Sequence, residues 1–307
     1  MIDQYKRLLR PLAGAANAVF FSAYYTMSRF HYRLLPLQLP RHKRLLLLAP
    51  HVDDEVIGLG GLLASLPAAP NTVRCVYMTN GAASYHPTLT GEALIGARRE
   101  EGRQVASFYG LEAPVFLDYE DGQLLPTAAV RSSLEKEIGD FNPDALFIPY
   151  FLDGHPDHVA TTALALEALE EAGCRGDFPL FLYQVNSPLT AYAANRYVLM
   201  GEEAFTRKIE GLRLFRSQTL PFSVFLDLDR YRRYALTYAE RQDARGAEFF
   251  RESNLQACRA VFQHFGPGVH RSFEQIRSPY ALIIHYFSGW KLKKAAKALW
   301  QTHETEQ

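Results

Sequence analysis

Residues 45–61 read LLLLAPHVDDEVIGLGG: an uninterrupted apolar run, then a polar turn, then a glycine-rich stretch. A short apolar run without alternation is typical of a strand that is buried on both faces of a parallel sheet. The acidic residues Asp53, Asp54 and Glu55 suit the positive end of a helix dipole. We therefore predict a buried strand, a turn and then a helix from Asp53 to Leu66.

The same succession of a buried strand and a polar motif returns about a hundred residues later. Residues 145–158 read ALFIPYFLDGHPDH, so His155, Asp157 and His158 follow a second apolar run. In an open α/β sheet, ligands bind in the crevice outside the carboxyl ends of the strands. Histidine and carboxylate donors with one open coordination position and a spare carboxylate are how proteins bind a metal ion that activates water.

Each motif also has an interpretation that involves no chemistry. Asp54 could cap the helix that follows it, and Pro156 could simply occupy the first turn of another helix. Because both motifs come directly after a buried strand, the pair favours a metal site over two unrelated turns.

Strands and helices alternate along the middle of the chain. Further strands are predicted at residues 72–78, 114–117, 145–150 and 180–185, and further helices at 93–109, 130–141 and 156–172. This alternation predicts an α/β fold, with a Rossmann-like and mainly parallel sheet that has helices on both faces. We divide the chain into an N-terminal helical extension (1–42), a core domain (43–255) and a C-terminal helical extension (256–307).

Composition excludes several classes of protein. The chain has 307 residues with 33 basic and 33 acidic side chains, and no basic run of nucleic-acid type, so we expect no nucleic-acid partner. Cys75, Cys174 and Cys258 are scattered and form neither a disulfide framework nor a Cys-x-x-Cys metal site. Such thiols fit a reducing compartment, so we expect a cytoplasmic protein.

Both extensions also have a possible role at a membrane. The segment from Pro11 to Ser28 has no charged side chain, and the segment from Trp290 to Trp300 combines four lysines with apolar residues at helical spacing. Ordinary packing helices explain both segments. A spanning or signal segment is a weaker interpretation of the first, because spanning needs about 20 strongly apolar residues. Basic residues with flanking Trp also suit a helix at a membrane surface, which would make the protein peripheral to the inner membrane.

The two polar motifs resemble those of the zinc-dependent LmbE-like de-N-acetylases, which include the N-acetylglucosaminyl-phosphatidylinositol de-N-acetylase (PIG-L). The motifs of that family are Ala-His-Pro-Asp-Asp-Glu and His-Pro-Asp-His, and here they stand at residues 50–55 and 155–158, with Val52 in place of the family's Pro. The resemblance covers roughly residues 43 to 250. Weaker family features recur at residues 98–101, at residues 121–124, and at Lys208, nine residues before Ser217 and Gln218.

The resemblance implies a division of roles and makes the core a metal-dependent deacetylase domain. The zinc ligands would be His51, Asp54 and His158, although other divalent ions could occupy the same donors. Asp53 would be the general base for the attacking water. His155 would donate a hydrogen bond to the oxyanion and could protonate the leaving amine, and Asp157 would orient a histidine.

The resemblance also implies where the substrate binds. Arg98 and Asp121 would hold sugar hydroxyls or an attached phosphate, although Arg98 could instead form a salt bridge with an acidic residue on its own helix. Asp153 stands where some relatives have Tyr, so the source of a second oxyanion donor stays open. We expect the loops 84–90 and 186–195 to determine specificity.

The expected function is removal of the acetyl group from an N-acetylglucosamine-type substrate, free or linked to a lipid or glycan. One alternative is an amidase that acts on another acylated amine or a thiol conjugate. Another is a sugar-binding or metal-binding protein without turnover. Asp53 favours an enzyme, because a protein that only binds has no need for a carboxylate beside the ligands.

Overall fold

The computed structural model describes the backbone of residues 2–39, 43–66, 71–276, 278 and 282–305, and the side chains of the same residues except 2–10, 304 and 305. Residues 40–42 of the predicted N-terminal extension, and the side chains of Lys6, Arg7 and Arg10, lie outside this part of the chain.

An eight-stranded sheet forms the centre of the described residues. Its strands are β1 (Leu35–Pro36), β2 (Arg44–Ala49), β3 (Thr72–Thr79), β4 (Val115–Tyr119), β5 (Ala145–Pro149), β6 (Pro179–Tyr183), β7 (Arg196–Met200) and β8 (Gly246–Asn254). The spatial order is β1-β7-β8-β6-β5-β2-β3-β4. Strand β8 runs antiparallel to β6 and β7, and the other neighbouring pairs are parallel.

Helices connect and cover the strands. They are α1 (Ile2–Ser28), α2 (Asp54–Ser65), α3 (Gly91–Tyr109), α4 (Ala128–Phe141), α5 (Pro156–Glu171), α6 (Glu202–Leu212), α7 (Ser223–Arg232), α8 (Tyr238–Arg241), α9 (Leu255–Phe265), α10 (Leu282–Phe287) and α11 (Trp290–Thr305). Short 3₁₀ helices cover Arg233–Ala235 and Pro267–Ser272. The predicted mainly parallel α/β fold is confirmed. The three-part division of the chain stays a prediction.

The position of β2 explains its sequence and locates the crevice. Strand β2 lies between β3 and β5, and Leu45 to Ala49 are all buried, as a central strand covered on both faces requires. The chain runs from β2 to β3 and β4 on one side, and β5 then pairs on the other side of β2. This reversal sets the loops after β2 and β5 side by side at a topological switch point, where open α/β sheets bind ligands.

A buried ion cluster fixes helix α2 behind those loops. The Lys208 Nζ atom lies 2.7 Å from carboxylate oxygens of Asp229 and Glu248 and donates to the Ile57 carbonyl at 2.9 Å. Glu248 in turn accepts the backbone N–H of Gly61 at 2.7 Å. A Cβ atom at Gly61 would lie 2.4 Å from Met200 Sδ and 3.0 Å from Glu248 Cδ, so any larger residue would require these side chains to shift. Lys208, one of the weaker family features, is therefore part of the support for α2.

The terminal helices pack on the domain. Helix α1 buries Phe21 and Tyr25, and the Phe21 ring lies 5.1 Å from that of Tyr286. In α11, Trp300 is 1% exposed and its Nε1–H donates to the Tyr150 hydroxyl at 3.2 Å. The interpretation that a Trp at each end of α11 meets a membrane is therefore wrong for Trp300, which belongs to the core. Lys293 is likewise buried and donates to the Tyr286 carbonyl. Among the described residues, no helix has the length and apolarity needed to cross a membrane.

Candidate metal centre

The turn after β2 brings a histidine and a carboxylate together. Asp54 is the first residue of α2, and its Oδ2 atom accepts the backbone N–H of His51 at 2.9 Å and lies 3.1 Å from His51 Nδ1. The N-cap position belongs to Asp53, which makes no side-chain capping bond. The interpretation of Asp54 as a helix cap is therefore wrong, and its carboxylate faces the histidine instead.

The loop after β5 presents the second pair of histidines. His155 is the N-cap of α5, and its Nδ1 atom accepts the backbone N–H of Asp157 at 3.2 Å. Pro156 occupies the first turn, as the structural interpretation of this motif predicted. Because Nδ1 of His155 is an acceptor, the neutral ring carries its proton on Nε2. His158 follows one turn later and is fully buried.

Three donor atoms converge where the two loops meet. His158 Nε2 lies 3.4 Å from Asp54 Oδ2 and 3.4 Å from His51 Nδ1, and the remaining distance, from His51 Nδ1 to Asp54 Oδ2, is 3.1 Å. Tetrahedral zinc with ligand distances of about 2.0–2.1 Å separates its ligand atoms by about 3.3–3.4 Å. The three atoms thus form one face of a tetrahedron of the size that zinc requires, and the residues fit the ion that the resemblance implies.

In His51 and His158, the ring nitrogen that does not belong to the three converging atoms lies beside a carboxylate. His51 Nε2 lies 3.3 Å from Asp157 Oδ2 and 3.1 Å from Asp121 Oδ1, and His158 Nδ1 lies 3.2 Å from Asp153 Oδ1. A histidine that binds a metal usually has a carboxylate or carbonyl at its other nitrogen, which fixes the ring orientation and raises its basicity. Asp157, which was predicted to orient a histidine, thus has its carboxylate beside the imidazole of His51.

Backbone N–H groups hold these carboxylates in place. Asp157 accepts from Gly122 at 2.7 Å and from Leu124 at 3.1 Å. Asp153 accepts from His155 at 2.8 Å and from Ser187 at 3.0 Å. In the sequence, Asp153 stands out only because it replaces a Tyr of some relatives. Its place two residues before His155 was the available signal, but its contact with His158 depends on the fold.

Other groupings of the same side chains could also hold a metal. One joins His51, His155 and His158, and the other joins His51, Asp121, His155 and Asp157. The second group would use the Asp121 and Asp157 oxygens that lie beside His51 Nε2. It would also bind the ion on the Nε2 side of His51, away from Asp54. The described residues therefore include a candidate metal site, and the distances favour His51, Asp54 and His158 within it.

The carboxylates around His51 and His158 create a negative environment that favours a bound cation. Burial alone would lower the pKa of His158, but Asp153 and Asp54 outweigh it and raise that pKa to about 10. His51 behaves likewise: burial opposes the charge, and Asp121, Asp157 and Asp54 raise its pKa well above the usual value. Both imidazoles would therefore carry extra protons in the absence of an ion. A divalent ion would take the place of that positive charge.

Asp53 is buried and lines the cleft together with His51 and Asp54. It is 3% exposed, and its Oδ2 atom has no hydrogen-bond partner among the described residues. Burial and the adjacent Asp54 raise the pKa of Asp53 to about 7. Its backbone has φ 146° and ψ −25°, a strained conformation for a residue with a Cβ atom. Strain of this kind is common at functional sites, where the surrounding structure maintains it.

Glu55 maintains the strained turn. Its Oε2 atom accepts the backbone N–H of Asp53 at 3.0 Å, and its Oε1 atom accepts the Tyr77 hydroxyl at 2.8 Å. Both oxygens of Glu55 are therefore engaged, whereas the Asp53 carboxylate is available to the cleft. Of the two acids, Asp53 is therefore the better candidate for a catalytic role.

Arg98 is buried without an ion pair. It is 1% exposed on α3, and none of its three guanidinium nitrogens has a hydrogen-bond partner among the described residues. The predicted alternative, a salt bridge on its own helix, is not formed; Glu101 instead accepts the backbone N–H and the hydroxyl of Ser217, both at 2.7 Å. A buried guanidinium with unused donors needs a ligand or water to satisfy it.

A cleft of about 480 Å³ opens beside His51, Asp53 and Asp54. Its wall includes His51, Asp53, Asp54, Asp121 and His155, together with Ser84, Tyr85 and Asn186 from the two loops predicted to determine specificity. Asp121 lies at the wall, and its Oδ2 atom accepts the Ala83 N–H at 3.1 Å.

Two segments of the wall were not predicted. Residues 218–221 form one, and Gln275 with Ile276 forms the other. The Gln275 side chain donates to the Gly154 carbonyl at 3.1 Å, and the Ile276 N–H donates to the Asn186 carbonyl at 3.0 Å. The predicted C-terminal extension thus closes one side of the cleft.

Replacement of Asp153 by Asn should weaken metal binding about 10–100-fold, because the amide no longer provides the charge beside His158 Nδ1. Competition of the protein with a chromophoric chelator for zinc measures this affinity. Asp177→Asn is the matched control, since Asp177 is an exposed residue that pairs with the exposed Arg175. An unchanged zinc affinity in Asp153→Asn would show that Asp153 does not orient His158.

Comparisons with known proteins agree with the motifs. Residues 46–169 match the family model described as PIG-L, GlcNAc-PI de-N-acetylase, a segment that contains both polar motifs. Over 137 residues the chain is 31% identical to diacetylchitobiose deacetylase of Thermococcus kodakarensis. That alignment covers 43% of this chain and 51% of the relative, so the chain spans about half the length of the curated relative that it matches.

Solved structures extend the likeness to more of the fold. N,N'-diacetylchitobiose deacetylase from Pyrococcus horikoshii superposes with a TM-score of 0.59 at 25% identity, over 74% of this chain and 87% of that one. The 4-carboxy-2-hydroxymuconate hydratase GalB from Pseudomonas putida gives 0.57 at 17% identity, over 68% and 95%, and shares the fold alone. The family resemblance is confirmed. Because this fold also carries a hydratase, the chemistry must be argued from the site.

Proposed function

We propose that the protein is a metal-dependent hydrolase that removes the acetyl group from an N-acetylglucosamine-type substrate, since residues 46–169 match the family model of the GlcNAc-PI de-N-acetylase. The observation that carries this proposal is the convergence of His51 Nδ1, Asp54 Oδ2 and His158 Nε2 beside the unpartnered carboxylate of Asp53. The diacetylchitobiose deacetylase relative supports the substrate class.

We assign His51, Asp54 and His158 as the ligands and zinc as the ion. A mixed set of nitrogen and oxygen donors suits zinc, and iron or cobalt could bind the same atoms. When bound, the ion would polarise the amide carbonyl and make water nucleophilic at neutral pH. Asp157 and Asp153 would act through the two histidines as positioning residues.

Asp53 is assigned as the general base. Its carboxylate faces the cleft, and its pKa of about 7 lies near the pH at which a base transfers protons efficiently. It would take a proton from the attacking water as the oxygen adds to the acetyl carbon. The same proton can then pass to the nitrogen as the carbon–nitrogen bond breaks, so the products are acetate and a free amine.

His155 is assigned as the donor to the oxyanion. Burial, His51 and His158 together lower the pKa of His155 to about 4, so its imidazole is neutral at pH 7. The Nε2–H of a neutral imidazole can donate a hydrogen bond to the developing negative charge. Since a neutral imidazole is a weak acid, we favour Asp53 over His155 as the source of the proton for the amine.

Arg98 and Asp121 are assigned to the substrate. Asp121 lies at the wall of the cleft, whereas Arg98 is buried and is not among the residues that line it. Its guanidinium nitrogens have no partner among the described residues, and we infer that they donate to sugar hydroxyls or to an attached phosphate when the substrate is bound. The sugar could be free or linked to a lipid or glycan.

Acetate release from a panel of substrates tests the function. The panel contains N,N'-diacetylchitobiose and free, nucleotide-linked and lipid-linked N-acetylglucosamine, together with an acetylated amine that is not a sugar. We expect acetate from at least one sugar substrate, and its loss with chelator. Turnover of the non-sugar amine alone would favour the alternative amidase, and no turnover by zinc-loaded protein would favour a binding protein.

Arg98→Met should raise KM about tenfold or more, since a charge-assisted hydrogen bond contributes roughly 1.5–3 kcal/mol. The same change removes a buried charge that lacks a partner, so the Tm of the free protein should not fall. Arg103→Met on the exposed side of α3 is the matched control. A lower Tm with an unchanged KM would assign Arg98 a structural role instead.

A further inference from the structure

The balanced total charge conceals a strong segregation along the chain. Residues 53–274 contain 20 basic and 30 acidic side chains, whereas the rest of the chain contains 13 basic and only 3 acidic ones. No Asp or Glu occurs from Gln4 to Val52 or from Gln275 to His303. The two terminal parts are therefore cationic and the central part is anionic. Charge asymmetry of this kind points to an anionic partner for the terminal parts.

The outer side of helix α1 is apolar. Its inner side buries Phe21 and Tyr25 against the domain. On the opposite side Leu12, Val19 and Met27 are 67%, 73% and 65% exposed. These positions follow helical spacing, and the exposed positions between them are alanines. Solvent normally meets the charged or polar side of a surface helix, so an apolar outer side is unusual.

This apolar surface continues beyond α1. Phe30, just after the helix, is 73% exposed. The Phe20 ring lies 5.6 Å from that of Phe287 on α10, which is itself 39% exposed. One turn before Phe287, Ile284 is 69% exposed. We name Leu12, Val19, Met27, Phe30, Ile284 and Phe287 the docking face.

Basic side chains border the docking face. Arg33 follows α1 and is exposed, and the Arg29 guanidinium lies 4.7 Å from the centre of the Phe30 ring. Lys291 and Lys294, four and seven positions after Phe287, are exposed in the first two turns of α11. Apolar side chains bordered by Lys and Arg are what proteins use to bind at the surface of a bilayer.

We propose that the docking face of α1 and α10 binds the surface of an anionic lipid bilayer. The apolar side chains would enter the boundary between head groups and acyl chains, and the bordering basic residues would face lipid phosphates. A second copy of the chain fits the face less well, because it would bring two cationic surfaces together.

The position of the face also relates it to the cleft. Ile276 lines the cleft, and α10 begins at Leu282, only six positions later in the sequence. A substrate carried on a lipid is the class that would use both features. This last step rests on the proposed function, whereas membrane binding itself does not.

Sedimentation with vesicles tests the proposal. We expect the full-length protein to bind phosphatidylglycerol-containing vesicles more tightly than pure phosphatidylcholine vesicles. Each basic residue at the surface should contribute roughly fivefold, and the difference should shrink at high salt. Absence of binding to either kind of vesicle would overturn the proposal, even if the protein releases acetate.

A matched pair of variants locates the contact. Met27 and Leu125 are both 65% exposed, so Met27→Glu and Leu125→Glu make the same change in charge at equally exposed positions. Tyr25 of α1 packs on Phe249 of strand β8. Leu125 follows β4, the edge strand that is separated from β8 by four other strands of the sheet. Met27→Glu should lower partitioning into anionic vesicles about tenfold or more, because it removes an apolar contact and adds a repelled charge. Leu125→Glu should not.

Two further outcomes would contradict the proposal. Equal losses in the two variants would show that net charge matters and the docking face does not. A wild-type dimer that Met27→Glu converts to a monomer, measured by analytical ultracentrifugation without lipid, would assign the face to a second copy of the chain. Circular dichroism of each variant verifies that it is folded.

Discussion

Asp53→Asn should lower kcat by about 10²–10⁴-fold, the usual effect of losing a general base. Asn keeps the shape of the side chain, so the strained turn held by Glu55 should persist. The ligands are unchanged, and the metal content should therefore stay near that of the wild type. Acetate release and elemental analysis on the same sample measure both properties.

A control separates this effect from general damage. Asp140→Asn changes an exposed carboxylate on α4 that pairs with Lys136, and it should leave kcat unchanged. Activity of Asp53→Asn within a few-fold of the wild type would mean that another group acts as the base. Glu55 would then be the next candidate, although both of its oxygens already accept hydrogen bonds.

His158→Ala should lose most of the bound ion. Loss of an orienting partner commonly weakens metal binding by about 10–100-fold, so loss of a ligand should exceed about 100-fold. Acetate release should fall with the metal content. His155→Ala, in contrast, should slow turnover while it retains the ion, because the assigned role of His155 is donation to the oxyanion.

Elemental analysis after dialysis measures this difference. His264→Ala removes an exposed histidine from α9 and is the matched control. Full metal content in His158→Ala would refute the ligand assignment. Loss of metal in His155→Ala alone would mean that the roles of the two histidines are exchanged.

The sequence predicted the elements that surround the cleft because their signals are local. Strands β2 and β5 are continuous apolar runs that end in polar motifs, and that pattern places both motifs at one edge of the sheet. Val52, where the family has Pro, is buried, and its carbonyl lies 3.3 Å from the Gln218 side-chain nitrogen. The departure at this position therefore leaves the ligands on either side in place.

Features that depend on distant contacts were missed. Strand β8 buries Glu248 and Arg251, and buried charges hide the apolar pattern of a strand. Asp153 had no assigned role although His158 lies only five positions later, because the contact between them forms only when helix α5 is in place. Gln275 contacts Gly154, which lies 121 positions earlier in the chain, and the hydrophobic periodicity of a sequence does not predict such a contact. Trp300 was interpreted as part of a surface helix because its partner Tyr150 lies 150 positions away in the sequence.

Titration of metal-stripped protein with zinc, followed by acetate release from the best substrate of the panel, tests the central claim most directly. The proposed metal-dependent mechanism predicts negligible acetate release before zinc is added, and then a rise in acetate release that ends near one equivalent of zinc per chain. Full acetate release by protein shown by elemental analysis to be free of metal would contradict it.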